Sequence, residues 1–179
     1  MNQDVKNIVV TAEQLAARIS ELGAQITADY SGKKLVVLGI LKGAAPFTTD
    51  LMRAIDLDFE MDFLAASSYG SGTQTSGEVR MLKDTALDLA GKDILVVEDI
   101  FESGYTLDKI LEVLRGRGAA SVRLCVLLEK PGTHAVDIPI DYLGFHIPNE
   151  FIVGYGLDYA EHYRGLPYIG VLKPEVYQK

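Results

Sequence analysis

Three short runs of aliphatic residues constrain this chain most: Leu35 to Ile40, Ile94 to Val97 and Val122 to Leu128. Each is apolar along almost its whole length rather than at alternate positions, and each is too short for a buried helix. Such runs are strands covered on both faces, the condition of a parallel sheet with helices on either side. Helical patterns lie between them. Thr11, with Gln14 three residues on, has capping-box spacing, and Leu15, Ile19, Leu22 and Ile26 follow at helical intervals until Ser31-Gly32. Gly43 to Ile55 sets Phe47, Leu51 and Ile55 on one side, with Pro46 near its start. Leu107, Ile110, Leu111 and Leu114 define another helix, ended by Gly116 and Gly118. Phe59 to Ser67 is a weaker strand. Tyr142 to Phe145 and Phe151 to Val153 are short strands flanking a turn at Pro148-Asn149. The stretch Ser67 to Gly77, SSYGSGTQTSG, has no apolar periodicity and predicts a mobile loop. The alternation predicts an α/β fold, a parallel sheet flanked by helices with right-handed crossovers. Such sheets bind ligands beyond the carboxyl ends of their strands, so the residues that follow the strands carry the function.

A length of 179 residues suits a single domain over 1–179, large enough to bury a core without a disulfide or metal staple. The single cysteine, Cys125, excludes an internal disulfide and lies in a strand as inert core. No apolar run approaches the roughly 18 residues of a membrane span. The start MNQDVKNIVV lacks a signal-peptide layout, so the expected compartment is the cytoplasm and no membrane partner is expected. A net charge of −8 argues against nucleic acid bound through its phosphates. It suits a site that meets anionic substrates through a divalent metal. The three histidines, His134, His146 and His162, show no metal-binding spacing. Neither a GxxxxGK[ST] nor a GxGxxG loop occurs.

The chemistry concentrates in VVEDIFESGYT, from Val96 to Thr106. A buried strand leads to two adjacent carboxylates, Glu98 and Asp99; a turn with Ser103, Gly104 and Thr106 follows, then a helix. Backbone N–H groups at that helix start, with the two hydroxyls, make an anion cradle, and Gly104 allows close backbone approach. Carboxylates beside such a cradle repel phosphate unless they bind hydroxyl groups or hold a cation. A sugar phosphate with free hydroxyls, together with Mg²⁺, satisfies every part.

This segment resembles the phosphoribosyl-pyrophosphate (PRPP) signature of type I phosphoribosyltransferases. Leu41-Lys42-Gly43-Ala44, Ser68-Tyr69-Gly70, Leu127-Leu128-Glu129-Lys130, the run Phe151 to Tyr159 and Arg164 narrow the resemblance to the hypoxanthine-guanine group. It implies the type I fold with a small hood built from the N- and C-terminal segments. It implies transfer of a phosphoribosyl group from PRPP to a 6-oxopurine in purine salvage, with Mg²⁺ as cofactor and a homo-oligomer, dimer or tetramer. Glu98 and Asp99 would hold the ribose hydroxyls, directly or beside Mg²⁺, and Asp158 would serve a second metal position. Glu102, Ser103, Gly104, Tyr105 and Thr106 would cradle the 5′-phosphate. Leu41, Lys42 and Gly43 would form the pyrophosphate loop, whose Leu41-Lys42 bond is often cis in the family. Ser68 and Tyr69 would close as a lid, and Arg164 would contact pyrophosphate. Lys130 would donate to the purine 6-oxo group, Phe151 would stack on the base, and the Ile152 backbone would read its edge beside Asp158. An ammonium only donates hydrogen bonds, so a 6-amino base should be poor. Read without the family, Lys130 is a solvated lysine, Phe151 a core residue and Arg164 a surface residue.

Glu102 departs from the pattern. The family carries Asp there, credited with proton exchange at purine N7. Glu keeps the carboxylate and lengthens the arm by one methylene. Either the loop shifts to compensate, or activity falls, or the chain only binds PRPP or nucleotide as a non-enzymatic regulator. Compensation is the expectation, because Glu and Asp have similar acid strength; Phe101 and Tyr105, bulkier than usual, accompany the shift.

Overall fold

A computed structural model describes residues 1–68 and 79–178. The loop from Ser67 to Gly77 therefore falls mostly outside the described residues, Tyr69 among them, while Ser67 and Ser68 end a strand instead of opening the loop. In chain order the elements are β1 (Val5–Val10), α1 (Ala12–Asp29), β2 (Leu35–Leu41), α2 (Ala45–Ala54), β3 (Glu60–Ser68), β4 (Val79–Lys83) and β5 (Asp93–Phe101). There follow α3 (Tyr105–Arg115), β6 (Ser121–Glu129), β7 (Tyr142–His146), β8 (Ile152–Val153), β9 (Ile169–Leu172) and α4 (Pro174–Tyr177).

The main sheet has six strands in the order β4-β3-β2-β5-β6-β7. Strands β3, β2, β5, β6 and β7 run parallel, and β4 adds an antiparallel edge that the sequence reading did not contain. Alternate residues of the inner strands serve two cores. Val37, Leu95, Val97, Cys125 and Leu127 face α1 and α2. Val36, Leu38, Ile94, Val96, Leu124 and Val126 face α3. Burial on both faces is why these strands read as unbroken apolar runs. The capping box of α1 forms as its spacing predicts: Gln14 N–H donates to Thr11 Oγ1 at 3.2 Å, and Thr11 N–H to Gln14 Oε1 at 2.8 Å. Helix α2 begins two residues later than expected, after the turn at Lys42 to Ala44. Cys125 is fully enclosed, and burial pushes its thiol pKa well up, so it is inert core. Among the described residues no helix is long and apolar enough to cross a membrane.

A second sheet, β1-β9-β8, is antiparallel and joins the two ends of the chain. It is the hood that the family resemblance implies. Strand β8 belongs to this hood and β7 to the main sheet, so the expected turn at Pro148-Asn149 connects strands of two different sheets. The hood packs on the α1–α2 side through Ile152, Leu157, Ile169 and Val171. Val5, Val153 and Leu172 form its own small core.

The topology brings the site together. The chain makes β2, moves outward to β3, then crosses to β5 on the opposite side of β2. That reversal leaves a crevice at the carboxyl ends of β2 and β5, where ligands of open α/β sheets bind. Because β2, β3, β5 and β6 are parallel, Lys42, Ser68, Glu102 and Lys130 all leave the sheet at the same edge.

Candidate active site

Strand β5 runs on through Glu98 and Asp99 to Phe101, paired with Glu129 of β6, so the two acids lie within the strand rather than at its end. The Asp99 N–H donates to Glu98 Oε1 at 3.1 Å, and the Ile100 N–H to Asp99 Oδ1 at 2.8 Å. Glu98 lines the cleft and is partly buried. Burial, aided by the negative charge of Asp99, pushes its carboxyl well above the usual carboxylate range. The Asp99 carboxylate is packed against the turn after β2: a Cβ on Gly43 would fall 1.6 Å from Asp99 Oδ2. The Leu41-Lys42 peptide bond in that turn is cis.

Gly104 caps α3 with φ +85°, and no side chain caps the helix. The N–H groups of its first turn therefore face outward without a side-chain acceptor, as an anion site requires. Phe101, buried, supports the turn from below, since a Cβ on Gly104 would meet its ring at 2.7 Å. The N–H groups of Ala135 and Val136 donate to the Ser103 carbonyl at 3.0 and 3.2 Å and hold the turn from the other side. The resulting cavity, about 210 Å³, is lined by Glu98, Asp99, Glu102, Ser103, Gly104 and Thr106 among others.

A second cavity of about 290 Å³ shares Ile100 and Glu102 with the first and adds Lys130, Phe151, Ile152, Leu157 and Asp158. Lys130 is buried and forms an ion pair with Glu102. Phe151 is 37% exposed, not core, and one face stacks on Tyr177 of α4 with centroids 4.7 Å apart. The adjoining loop is pressed onto the β2 turn: a Cβ on Gly156, at φ +103°, would lie 1.9 Å from the Gly43 carbonyl oxygen.

Asp158 and Arg164 meet. Arg164 Nη2 lies 2.9 Å from Asp158 Oδ1, and Nη1 donates to the Gly156 carbonyl at 2.7 Å. Lys42 Nζ reaches both carboxylate oxygens of Glu161 at 3.1 Å. Sequence reasoning missed Glu161 and Tyr177, which no local pattern marks; it had Gly156 and Leu157 only as members of the run Phe151 to Tyr159, with no role, and it overlooked that Glu102 and Lys130 touch.

Asp158 does not join Glu98 and Asp99: among the described residues no cluster of three or more His, Cys, Asp or Glu side chains could hold a metal ion. The donors are nevertheless those of a hard divalent cation. Mg²⁺ keeps several waters and takes one or two carboxylates plus substrate oxygens, so the Glu98–Asp99 pair fits it as a partial shell and not as a cage.

A phosphoribosyl transferase domain model matches residues 7–160. The chain is 47% identical over 178 residues to the hypoxanthine-guanine phosphoribosyltransferase of Bacillus subtilis (strain 168), covering 99% of each. It is 50% identical over 179 residues to the bifunctional protein TilS/HprT of Listeria monocytogenes serotype 4b (strain F2365), of which it spans 28%. The crystal structure of a hypoxanthine phosphoribosyltransferase from Staphylococcus aureus superimposes with a TM-score of 0.95 at 49% identity, over 98% of this chain and 96% of that one. With its fold, its paired cavities and these likenesses over its full length, the chain belongs to the phosphoribosyl transferase family.

Proposed function

We propose that the chain transfers the 5-phosphoribosyl group of PRPP to a 6-oxopurine, hypoxanthine or guanine, releasing pyrophosphate and forming the nucleoside 5′-monophosphate. The observation that carries this reading is the pair of cavities joined at Ile100 and Glu102. One is an anion cradle beside two acids. The other presents a buried ammonium and an exposed aromatic face.

The reaction builds charge on the leaving pyrophosphate and makes the ribose oxocarbenium-like, so catalysis is mainly positioning and electrostatic stabilisation. The 5′-phosphate sits on the turn from Glu102 to Thr106, held by the free N–H groups of α3. Glu98 and Asp99 hold the ribose hydroxyls. Leu41, Lys42 and Gly43, with Arg164, surround the pyrophosphate and exclude water. Lys130 turns from Glu102 to donate to the purine 6-oxo group, Phe151 stacks on the ring, and the Ile152 backbone reads its edge. Glu102, standing between the cavities, exchanges the proton at N7. Mg²⁺, when bound by Glu98 and Asp99 with Asp158 at a second position, supplies charge neutralisation for the pyrophosphate.

The non-enzymatic alternative is set aside. Its support was Glu102, and Glu102 keeps its carboxylate at the junction of the two cavities, beside intact base-side residues. Incubation with PRPP, Mg²⁺ and either base should release pyrophosphate and form nucleotide, and absence of turnover with both bases overturns the proposal. A single domain, a cytoplasmic location and a dimer or tetramer complete the reading; sedimentation analysis tests the last.

A further inference from the structure

Lys42 and Arg164 come from different elements, the turn after β2 and the loop after β8, yet both direct their charge at one carboxylate. Glu161 receives Lys42 Nζ at 3.1 Å on each oxygen and Arg164 Nη2 at 3.2 Å. Its placement depends on an unusual backbone. Tyr159 and His162 close a two-residue hairpin with paired bonds of 3.2 and 3.0 Å. The residues between them, Ala160 and Glu161, have φ of +50° and +66°. Such a turn favours Gly and Asn, so a non-glycine pair persists only where its surroundings hold it. Here the Glu161 N–H donates to Asp158 Oδ2 at 2.9 Å, which fixes the turn, and the exposed carboxylate reaches both cations.

We propose that Glu161 is a resident counter-anion of the Lys42–Arg164 pair, standing where the pyrophosphate group of the sugar donor and product binds. The inference rests on the transferase reading above, which assigns that group to these two cations. In the free protein Glu161 bridges both cations and offsets part of their charge, with Asp158 beside Arg164 supplying the other counter-charge. When pyrophosphate arrives, the carboxylate is displaced and becomes a like charge at its edge. Both effects weaken pyrophosphate and hasten its departure. The Lys42–Glu161 pair is exposed, and exposed pairs contribute little, so a multiply charged ligand displaces it readily.

The test is calorimetric titration of inorganic pyrophosphate, in excess Mg²⁺, into the wild type, Glu161→Gln, Lys42→Gln and the double variant. Glu161→Gln should bind pyrophosphate about three- to tenfold tighter, the range that loss of one exposed charge contact supports. The gain should shrink in the Lys42→Gln background. The KM for PRPP should fall while the KM for the base stays put, a split that a merely structural role for Glu161 would not produce. Unchanged or weaker pyrophosphate binding by Glu161→Gln overturns the inference, as does a gain undiminished without Lys42. If the wild type turns over and binds pyrophosphate, either result sinks the inference alone. If it does neither, the transferase reading falls with it.

Discussion

The Glu102 carboxylate, on the wall common to the two cavities, forms an ion pair with the Lys130 ammonium of the second cavity. Lys130 is buried while Glu102 is about half exposed. A buried ammonium needs a counter-charge, and Glu102 reaches it from the turn after β5. The longer arm of Glu, relative to the Asp that the family resemblance leads one to expect, brings its carboxylate onto the base-side lysine. Glu102→Asp should therefore not exceed the wild type by more than about tenfold in kcat at saturating substrates, since a 1 Å displacement is worth up to a hundredfold. Steady-state kinetics with hypoxanthine and guanine measure it.

Lys130 sets the choice of base in the proposed reaction. An ammonium has three donors and no acceptor, so it matches a 6-oxo group and leaves a 6-amino group unpaired. Lys130→Gln introduces an acceptor and removes the charge. It should lower kcat/KM for guanine and hypoxanthine at least about a hundredfold and narrow the gap to adenine, because a site built to hydrogen-bond one group discriminates by leaving the wrong group unpaired. A panel of bases at fixed PRPP gives the ratio. An unaltered ratio would remove Lys130 from base recognition.

The inner strands were legible because burial on both faces writes itself into composition. The same holds for α1, whose capping box is a local pattern. The hood was not legible from residues alone, only from the family resemblance. Strand β1 pairs Val5 with Leu172 and Val10 with Ile169, partners separated by most of the chain, and no local periodicity encodes such a pairing. At the site, strand-end logic reached the Glu98 to Thr106 segment, whereas Lys42 and Lys130 came only from the family resemblance, although parallel strands deliver all of them to one edge. It could not reach Glu161, whose contact with Lys42 depends on a left-handed turn, or Tyr177, which meets Phe151 only after the C-terminus folds back.

Gly43 and Gly156 form a chain of close approach from Asp99 to the hood, and substitution at each should fail differently. A methyl on Gly43 would meet the end of the short Asp99 side chain, which can rotate away. Gly43→Ala should therefore fold, yet displace the acid, raising the KM for PRPP about tenfold or more with little change in base binding. A methyl on Gly156 would meet the rigid Gly43 carbonyl at 1.9 Å from a positive φ of +103°. Gly156→Ala should instead lower Tm by several degrees, since strain of this kind costs about 1–3 kcal/mol. Thermal melts beside the kinetics separate the two cases.

Asp62 on β3 holds the edge strand β4, which carries the chain back toward the core. Lys83 Nζ lies 2.7 Å from Asp62 Oδ1 and donates to the Phe63 carbonyl at 2.6 Å. The Lys83 hydrogen bond, with the Phe63 N–H, lowers the Asp62 carboxyl from its ordinary 3.8 to about 2. A depressed carboxyl releases its proton more readily in the folded state, so it stabilises the fold above the unfolded pKa. That contribution fades as pH falls through the folded one. Lys83 is largely exposed, and solvent screening limits the pair to about 0.5 kcal/mol. Asp62→Asn should therefore be less stable than the wild type by about that amount at pH 7. The difference should shrink between roughly pH 4 and pH 2 and vanish below. Urea denaturation of both proteins across that window checks the sign, and a penalty that grows toward acid pH would rule out this role for Asp62.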